Sequence, residues 1–155
     1  METNEKLVEV LNDLIEINND RIQGYEKAVG ELEPVDADLK AVFTSMANES
    51  RQYVSELAPE VSKLGGTVAE GTTNSGSIYR AWMAIKTTFT GKDRHSALES
   101  CEFGEDAAQK AYKEALESDA EIPADVRQII TEQKASLKNS HDKIKALRDA
   151  HEVVS

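Results

Sequence analysis

The chain has 155 residues, which is enough for one domain with a sizeable core. Its formal net charge of −11 argues against binding to nucleic acid or to an anionic membrane surface. The single cysteine, Cys101, excludes an internal disulfide and a cysteine-based zinc site. No apolar run reaches the ~18 residues of a membrane span, and the polar amino terminus lacks a signal-peptide pattern, so we expect a cytoplasmic protein.

The first part of the chain, residues 4–64, is predicted to form a helical hairpin. Apolar residues recur at spacings of three and four along two segments, as in amphipathic helices. The first helix ends near Val29, and the second begins near Asp36 and stops at Gly65. Pro59 lies inside the second helix, where it predicts a kink or a break.

Residues 65–92 are predicted to form a long crossover that begins as an irregular connector and contains a short amphipathic helix. The apolar residues on one face of that helix are Ile78, Trp82, Ile85 and Phe89. This face could close one end of the bundle, or it could form a surface for a homodimer or a protein partner.

Residues 93–152 are predicted to form a second hairpin. Its first helix runs from about Arg94 to Ser118, and its second starts at Pro123, a favourable residue for a first helical turn. The whole chain, residues 1–155, is therefore predicted to be a single all-α domain. Two antiparallel hairpins joined by a crossover make a four-helix bundle.

The two hairpins resemble each other at a constant offset of 87 residues. Leu11 aligns with Leu98, and Tyr25 aligns with Tyr112. In the clearest stretch, Val35, Ala37, Asp38, Leu39, Lys40, Val42 and Phe43 align with Ile122, Ala124, Asp125, Val126, Arg127, Ile129 and Ile130. Repeated units usually pack against each other to bury their apolar faces, so we expect a pseudo-twofold axis between the hairpins.

The repeat also aligns polar residues near the middle of the helices. It pairs Asn18 with Glu105, and Arg51 with Lys138. A buried layer of polar side chains is therefore predicted at the middle of the bundle, because an unpaired polar group in an apolar interior is costly. The residues predicted to form this layer are Asn18, Tyr25, Arg51, Glu102, Glu105, Tyr112, Lys138 and His141. They could bind a substrate or an ion, or they could form a structural network of paired charges.

Several short motifs, in their order along the chain, carry a resemblance. They are Leu11-Asn12-Asp13-Leu14-Ile15-Glu16, Gly24-Tyr25, Leu64-Gly65-Gly66, Arg80 with Trp82, Gly104-Glu105-Asp106-Ala107-Ala108, and His141 followed by Ile144 and Leu147. Two hairpins, a long crossover and inward polar positions at matching depth resemble the ferritin-like superfamily. With the motifs above, the chain more narrowly resembles an uncharacterised bacterial family of four-helix bundles that carries a domain-of-unknown-function label. The resemblance implies the bundle fold over nearly the whole chain.

In the di-iron members of that superfamily, each hairpin supplies a Glu from its first helix and a Glu-x-x-His from its second. The corresponding positions in this chain are Asn18, Arg51 and Val54 in the first hairpin, and Glu105, Lys138 and His141 in the second. Only Glu105 and His141 keep ligand-type side chains, and cations stand at the two bridging positions. The resemblance therefore implies that the di-iron site has been lost.

Two functions remain open from the sequence. The first is a non-enzymatic structural, interaction or stress-related protein without a cofactor and without catalytic residues. The alternative is a rubrerythrin-like oxidoreductase that binds iron or manganese through a rearranged ligand set. The carboxylates and imidazole available for such a set are Glu49, Glu102, Glu105 and His141.

Overall fold

The computed structural model describes residues 2–31, 37–71 and 94–154, and within them it contains four long α-helices. These are α1 (Glu2–Glu31), α2 (Ala37–Lys63), α3 (Arg94–Glu117) and α4 (Ala124–Val154). The predicted all-α four-helix bundle is confirmed. None of the described helices is long and apolar enough to cross a membrane.

Every neighbouring pair of helices in the bundle is antiparallel. The most extensive contacts join α1 to α2 and α3 to α4, and smaller contacts join α1 to α3 and α2 to α4. Between α1 and α3, Asn18 contacts Tyr112 whereas Tyr25 contacts Glu105, so the two helices run in opposite directions. Helices α2 and α3 therefore point the same way, so the end of α2 and the start of α3 lie at opposite ends of the bundle.

The core consists of two apolar clusters with a polar layer between them. One cluster contains Leu7, Leu11, Leu14, Ile15, Ile17, Tyr53, Leu57, Val61, Ala108, Tyr112, Ala115, Val126, Ile130 and Leu137. The other contains Tyr25, Ala28, Leu39, Phe43, Met46, Ala47, Leu98, Cys101 and Ile144. On each helix, the residues between its two apolar stretches include buried or partly buried polar side chains. The two apolar clusters thus confine the buried polar side chains to one layer at the middle of the bundle.

The predicted end of α2 is confirmed. At Pro59, where the sequence predicts a kink or a break, the helix is not broken. Helix α2 ends at Lys63, and Gly65 follows with a φ of 80°, a left-handed conformation that glycine adopts without strain. Gly66 approaches α1 so closely that an added Cβ would lie 2.7 Å from a methyl carbon of Val8. The helix continues through Pro59, whose exposed position leaves the freed carbonyl group of the preceding turn accessible to water.

The predicted crossover lies largely outside the described part of the chain. The structure describes its first residues, 65–71, which run along α1. The side chain of Asn12 hydrogen-bonds to the backbone of Thr67 and Ala69, and Asn19 donates to the carbonyl of Gly71. The residues proposed above for an interface or end cap, Ile78, Trp82, Ile85 and Phe89, lie outside the described residues.

Candidate functional site

A fully buried arginine, Arg21 of α1, occupies the centre of the polar layer. Its Nε donates to Oε1 of Glu105 over 2.9 Å, and its Nη2 lies 2.8 Å from the same oxygen. Nη2 also lies 2.9 Å from Oε1 of Glu49, and Nη1 donates to Ser50 and to the carbonyl of Met46. One guanidinium group therefore joins α1 to α2 and to α3.

The surroundings keep Arg21 charged at every accessible pH. Burial alone would lower the pKa of Arg21, but the negative charges of Glu105 and Glu49 outweigh it and raise that pKa above its ordinary value. The guanidinium also lies over the Tyr25 ring, 5.4 Å from its centroid. The site is consequently a permanent buried cation held by protein carboxylates.

Two tyrosines complete the layer in a pattern that follows the internal repeat. Asn18 Nδ2 donates to Tyr112 Oη over 2.8 Å, and Tyr25 Oη donates to Oε1 of Glu105 through a short hydrogen bond. Because Glu105 is the repeat equivalent of Asn18, and Tyr112 that of Tyr25, the two bonds are related by the pseudo-twofold relationship. Tyr112 Oη in turn donates to Gln133 of α4 over 2.6 Å, so the layer contacts all four helices.

Burial suppresses ionisation of the phenols in this layer. The pKa of Tyr25 is raised first by burial and then by the charge of Glu105. Burial likewise raises the pKa of Tyr112, although its hydrogen bond with Asn18 acts in the opposite direction. The pKa of Cys101, which lies near Glu105, is also raised by burial and then by that carboxylate. The phenols and the thiol therefore stay protonated around the ion pairs of Arg21.

The prediction that Arg51 and Lys138 lie in the core is wrong. Arg51 has 45 % of its side chain exposed and pairs with Glu26 over 2.7 Å on the surface. Lys138 is 64 % exposed and pairs with Asp142, one turn further along α4. The reason is helical phase, because in each case the preceding residue, Ser50 or Leu137, faces inward and the cation follows about 100° further round.

The sequence interpretation missed Arg21, although a pattern pointed to it. Arg21 lies three residues after Asn18 and four before Tyr25, so all three share one face of α1. Its repeat equivalent is Ala108, which is also buried. This position therefore faces inward in both halves, which is the signal that could have identified Arg21 as the buried cation.

Glu49 connects the buried network to a surface groove between α2 and α4. Its carboxylate accepts from Ser140 Oγ over 2.9 Å while it also faces Arg21. The groove has a volume of about 230 Å³. Its lining residues are Val42, Ser45, Met46, Glu49, Ser136, Asn139, Ser140 and Lys143. Of the side chains described above as contacting Arg21, only that of Glu49 is partly exposed to solvent.

The structure separates the carboxylates and imidazole of the alternative metal set into two places. Glu49 and Glu105 both face Arg21. Glu102 and His141 lie at the edge of the α3–α4 pair, where Nε2 of His141 is 3.7 Å from Oε1 of Glu102. Asp106, which the sequence interpretation did not select, completes that second group with an oxygen 2.6 Å from Nε2. The four residues therefore do not form one site.

Comparison with known proteins places the chain in a family. Residues 6–118, which cover most of α1 and all of α2 and α3, match the model described as Domain of unknown function (DUF2383). No curated protein is similar enough to this chain to be identified as a relative. Because the matched residues make up more than half of its length, the chain belongs to the DUF2383 family.

Proposed function

We propose that this domain is a ferritin-like bundle with a degenerate di-iron site and that it acts as a non-enzymatic structural, interaction or stress-related protein. The observation that supports this role is the fully buried guanidinium of Arg21, placed between two carboxylates at the middle of the bundle. In the superfamily that the sequence resembles, this level of the bundle holds the metal pair.

The residues at the centre do not fit a di-iron site. Both nearby carboxylates, Glu49 and Glu105, already neutralise the charge of Arg21 at distances below 3 Å. A metal ion at the same place would face an arginine that stays protonated, and the two positive charges would repel each other strongly in a low-dielectric interior. The network therefore serves the architecture of the bundle, because it fixes the register of α1, α2 and α3.

The charge of the chain directs the proposal about partners. A net charge of −11 repels polyanions, so the partner we propose is a second copy or another protein rather than nucleic acid or an anionic membrane. Sedimentation velocity over a range of concentrations tests self-association. A cytoplasmic location stays a prediction of the sequence.

Metal chemistry at the centre can be tested directly. We propose to measure aerobic oxidation of ferrous iron by the wild-type protein, by Glu105→Gln and by Glu117→Gln, an exposed carboxylate on the same helix as control. We expect all three to match the rate in buffer. Saturable oxidation that depends on the wild-type protein and is lost only in Glu105→Gln would refute the proposed role.

A further inference from the structure

Three potential metal ligands converge at the edge of the α3–α4 pair, away from Arg21. Glu102 and Asp106 lie one turn apart on α3, and His141 faces them from α4. One ligand atom from each of the three lies within 4.8 Å of the other two. Glu102 and His141 are mostly buried, whereas Asp106 is 59 % exposed and gives access from solvent.

The second nitrogen of the imidazole has a partner of the kind that metal-binding histidines commonly use. Nδ1 of His141 lies 3.2 Å from Oδ1 of Asp142, a residue outside the group of three. When Nδ1 donates its proton to a carboxylate, Nε2 carries a lone pair, and metal-binding histidines use this arrangement to fix the ring and its tautomer. Here Nε2 faces the oxygens of Glu102 and Asp106.

Something positive must lie between Nε2 and Asp106. Two lone pairs cannot approach to 2.6 Å without repulsion, so either a proton or a metal cation joins these atoms. The ligand atoms around a tetrahedral zinc ion are about 3.4 Å apart, given metal–ligand distances of about 2.1 Å. The observed separations of 2.6 and 3.7 Å lie on either side of that value, and all three ligand atoms lie within 4.8 Å of one another.

The charges around the group favour a dication. Four carboxylates lie there, namely those of Glu102, Asp106, Asp142 and Asp149. Two cations form ion pairs with these carboxylates. Arg148 contacts Oε2 of Glu102, and Lys138 pairs with Asp142. Among these six groups the carboxylates outnumber the cations, which favours binding of a divalent ion. Arg148 also leaves Oε1 of Glu102 turned toward His141.

We propose that Glu102, Asp106 and His141 bind one divalent transition-metal ion that bridges α3 and α4. One imidazole nitrogen and two carboxylate oxygens suit Zn²⁺ or Mn²⁺ better than Mg²⁺, which prefers oxygen ligands alone. The ion joins the two helices of the second hairpin, so binding stabilises the folded chain. This site does not involve Arg21, and its test can fail while the role proposed for the bundle centre stands.

The test is titration of the EDTA-treated full chain with zinc chloride and with manganese chloride, followed by calorimetry. We expect saturable binding of one ion per chain and a higher melting temperature with the ion present. His141→Ala and Asp106→Asn should each weaken binding by about tenfold or more, and Asp142→Asn by about 10–100-fold. Glu117→Gln, which removes an exposed carboxylate elsewhere on α3, should bind like the wild type.

Two further measurements separate this site from nonspecific binding. Cobalt ions should give visible ligand-field bands with the wild type and with the double variant His95→Asn/His151→Asn, but not with His141→Ala. Circular dichroism of each variant without metal establishes that it is folded. Absence of saturable binding by the wild type, or equal binding by folded His141→Ala, would overturn the proposal.

Discussion

The strongest consequence of the buried network is the cost of removing its cation. Arg21→Met keeps a side chain of similar length but leaves Glu105 fully buried with Tyr25 as its remaining partner in the network. Removal of one member of a buried ion pair costs about 3–5 kcal/mol of unfolding free energy, because the other charge stays desolvated. Such a loss is a large part of the 5–15 kcal/mol that typically stabilises a domain.

Urea denaturation followed by circular dichroism measures this loss. With an m-value of about 2 kcal/mol/M, the midpoint should fall by about 2 M urea. The matched control is Arg51→Met, the same substitution at a half-exposed arginine whose ion pair with Glu26 lies on the surface. We expect that control to change stability by about 1 kcal/mol or less.

A double variant separates the lost pair from lost packing. Arg21→Met combined with Glu105→Leu removes both buried charges, so at least half of the stability lost in the single variant should return. The reasoning is refuted if Arg21→Met costs no more than Arg51→Met. It is also refuted if the losses from the Arg21 and Glu105 substitutions simply add, since a shared ion pair requires coupling between them.

Other buried groups give three more predictions. Tyr112→Phe leaves the amide groups of Asn18 and Gln133 without their shared buried partner and should cost about 1–3 kcal/mol in the same urea assay; an unchanged midpoint would contradict the hydrogen bonds described. Because burial raises the pKa of Cys101, the folded chain keeps a proton that the unfolded chain releases near pH 8.5, so this contribution to stability is complete below that pH and falls as the pH rises above it. A thiol reagent at pH 8 should accordingly label Cys101 only after denaturant is added, and rapid labelling of the native protein would disprove the burial. Gly66→Ala places a methyl group against Val8 and should lower stability by about 1–3 kcal/mol, with Val8→Ala restoring part of the loss; no effect of Gly66→Ala would refute the close approach.

The lower pH range tests a different group of contacts. The hydrogen bonds from Lys138 and His141 lower the pKa of Asp142 below its ordinary value. A carboxyl group with a lowered pKa contributes stability that is present above its unfolded pKa of about 3.9 and is lost as the pH falls through the folded value. Because Asp142 is exposed and its contacts with Lys138 and His141 lie at the surface, we expect its substitution to change metal affinity far more than stability.

The four-helix fold could be predicted from the amino-acid sequence. The spacing of apolar residues is a local property, so it located four helices and their buried faces without knowledge of their neighbours. Gly65 marked the end of α2 because few other residues adopt a φ of 80° without strain. The 87-residue repeat also aligned Asn18 with Glu105 and Tyr25 with Tyr112, the residues that form the two symmetric hydrogen bonds.

The identity of the buried cation could not be predicted from the sequence, because it depends on how the helices pack. Each residue turns the helix by about 100°, so a repeat alignment that is correct in register can still misjudge the inward face by one position. Arg51 follows the inward-facing Ser50 and reaches solvent, whereas Arg21 is fully buried and pairs with Glu105. The grouping of Glu102 and Asp106 with His141 depends on how α3 and α4 rotate against each other, and packing of both apolar faces fixes that rotation.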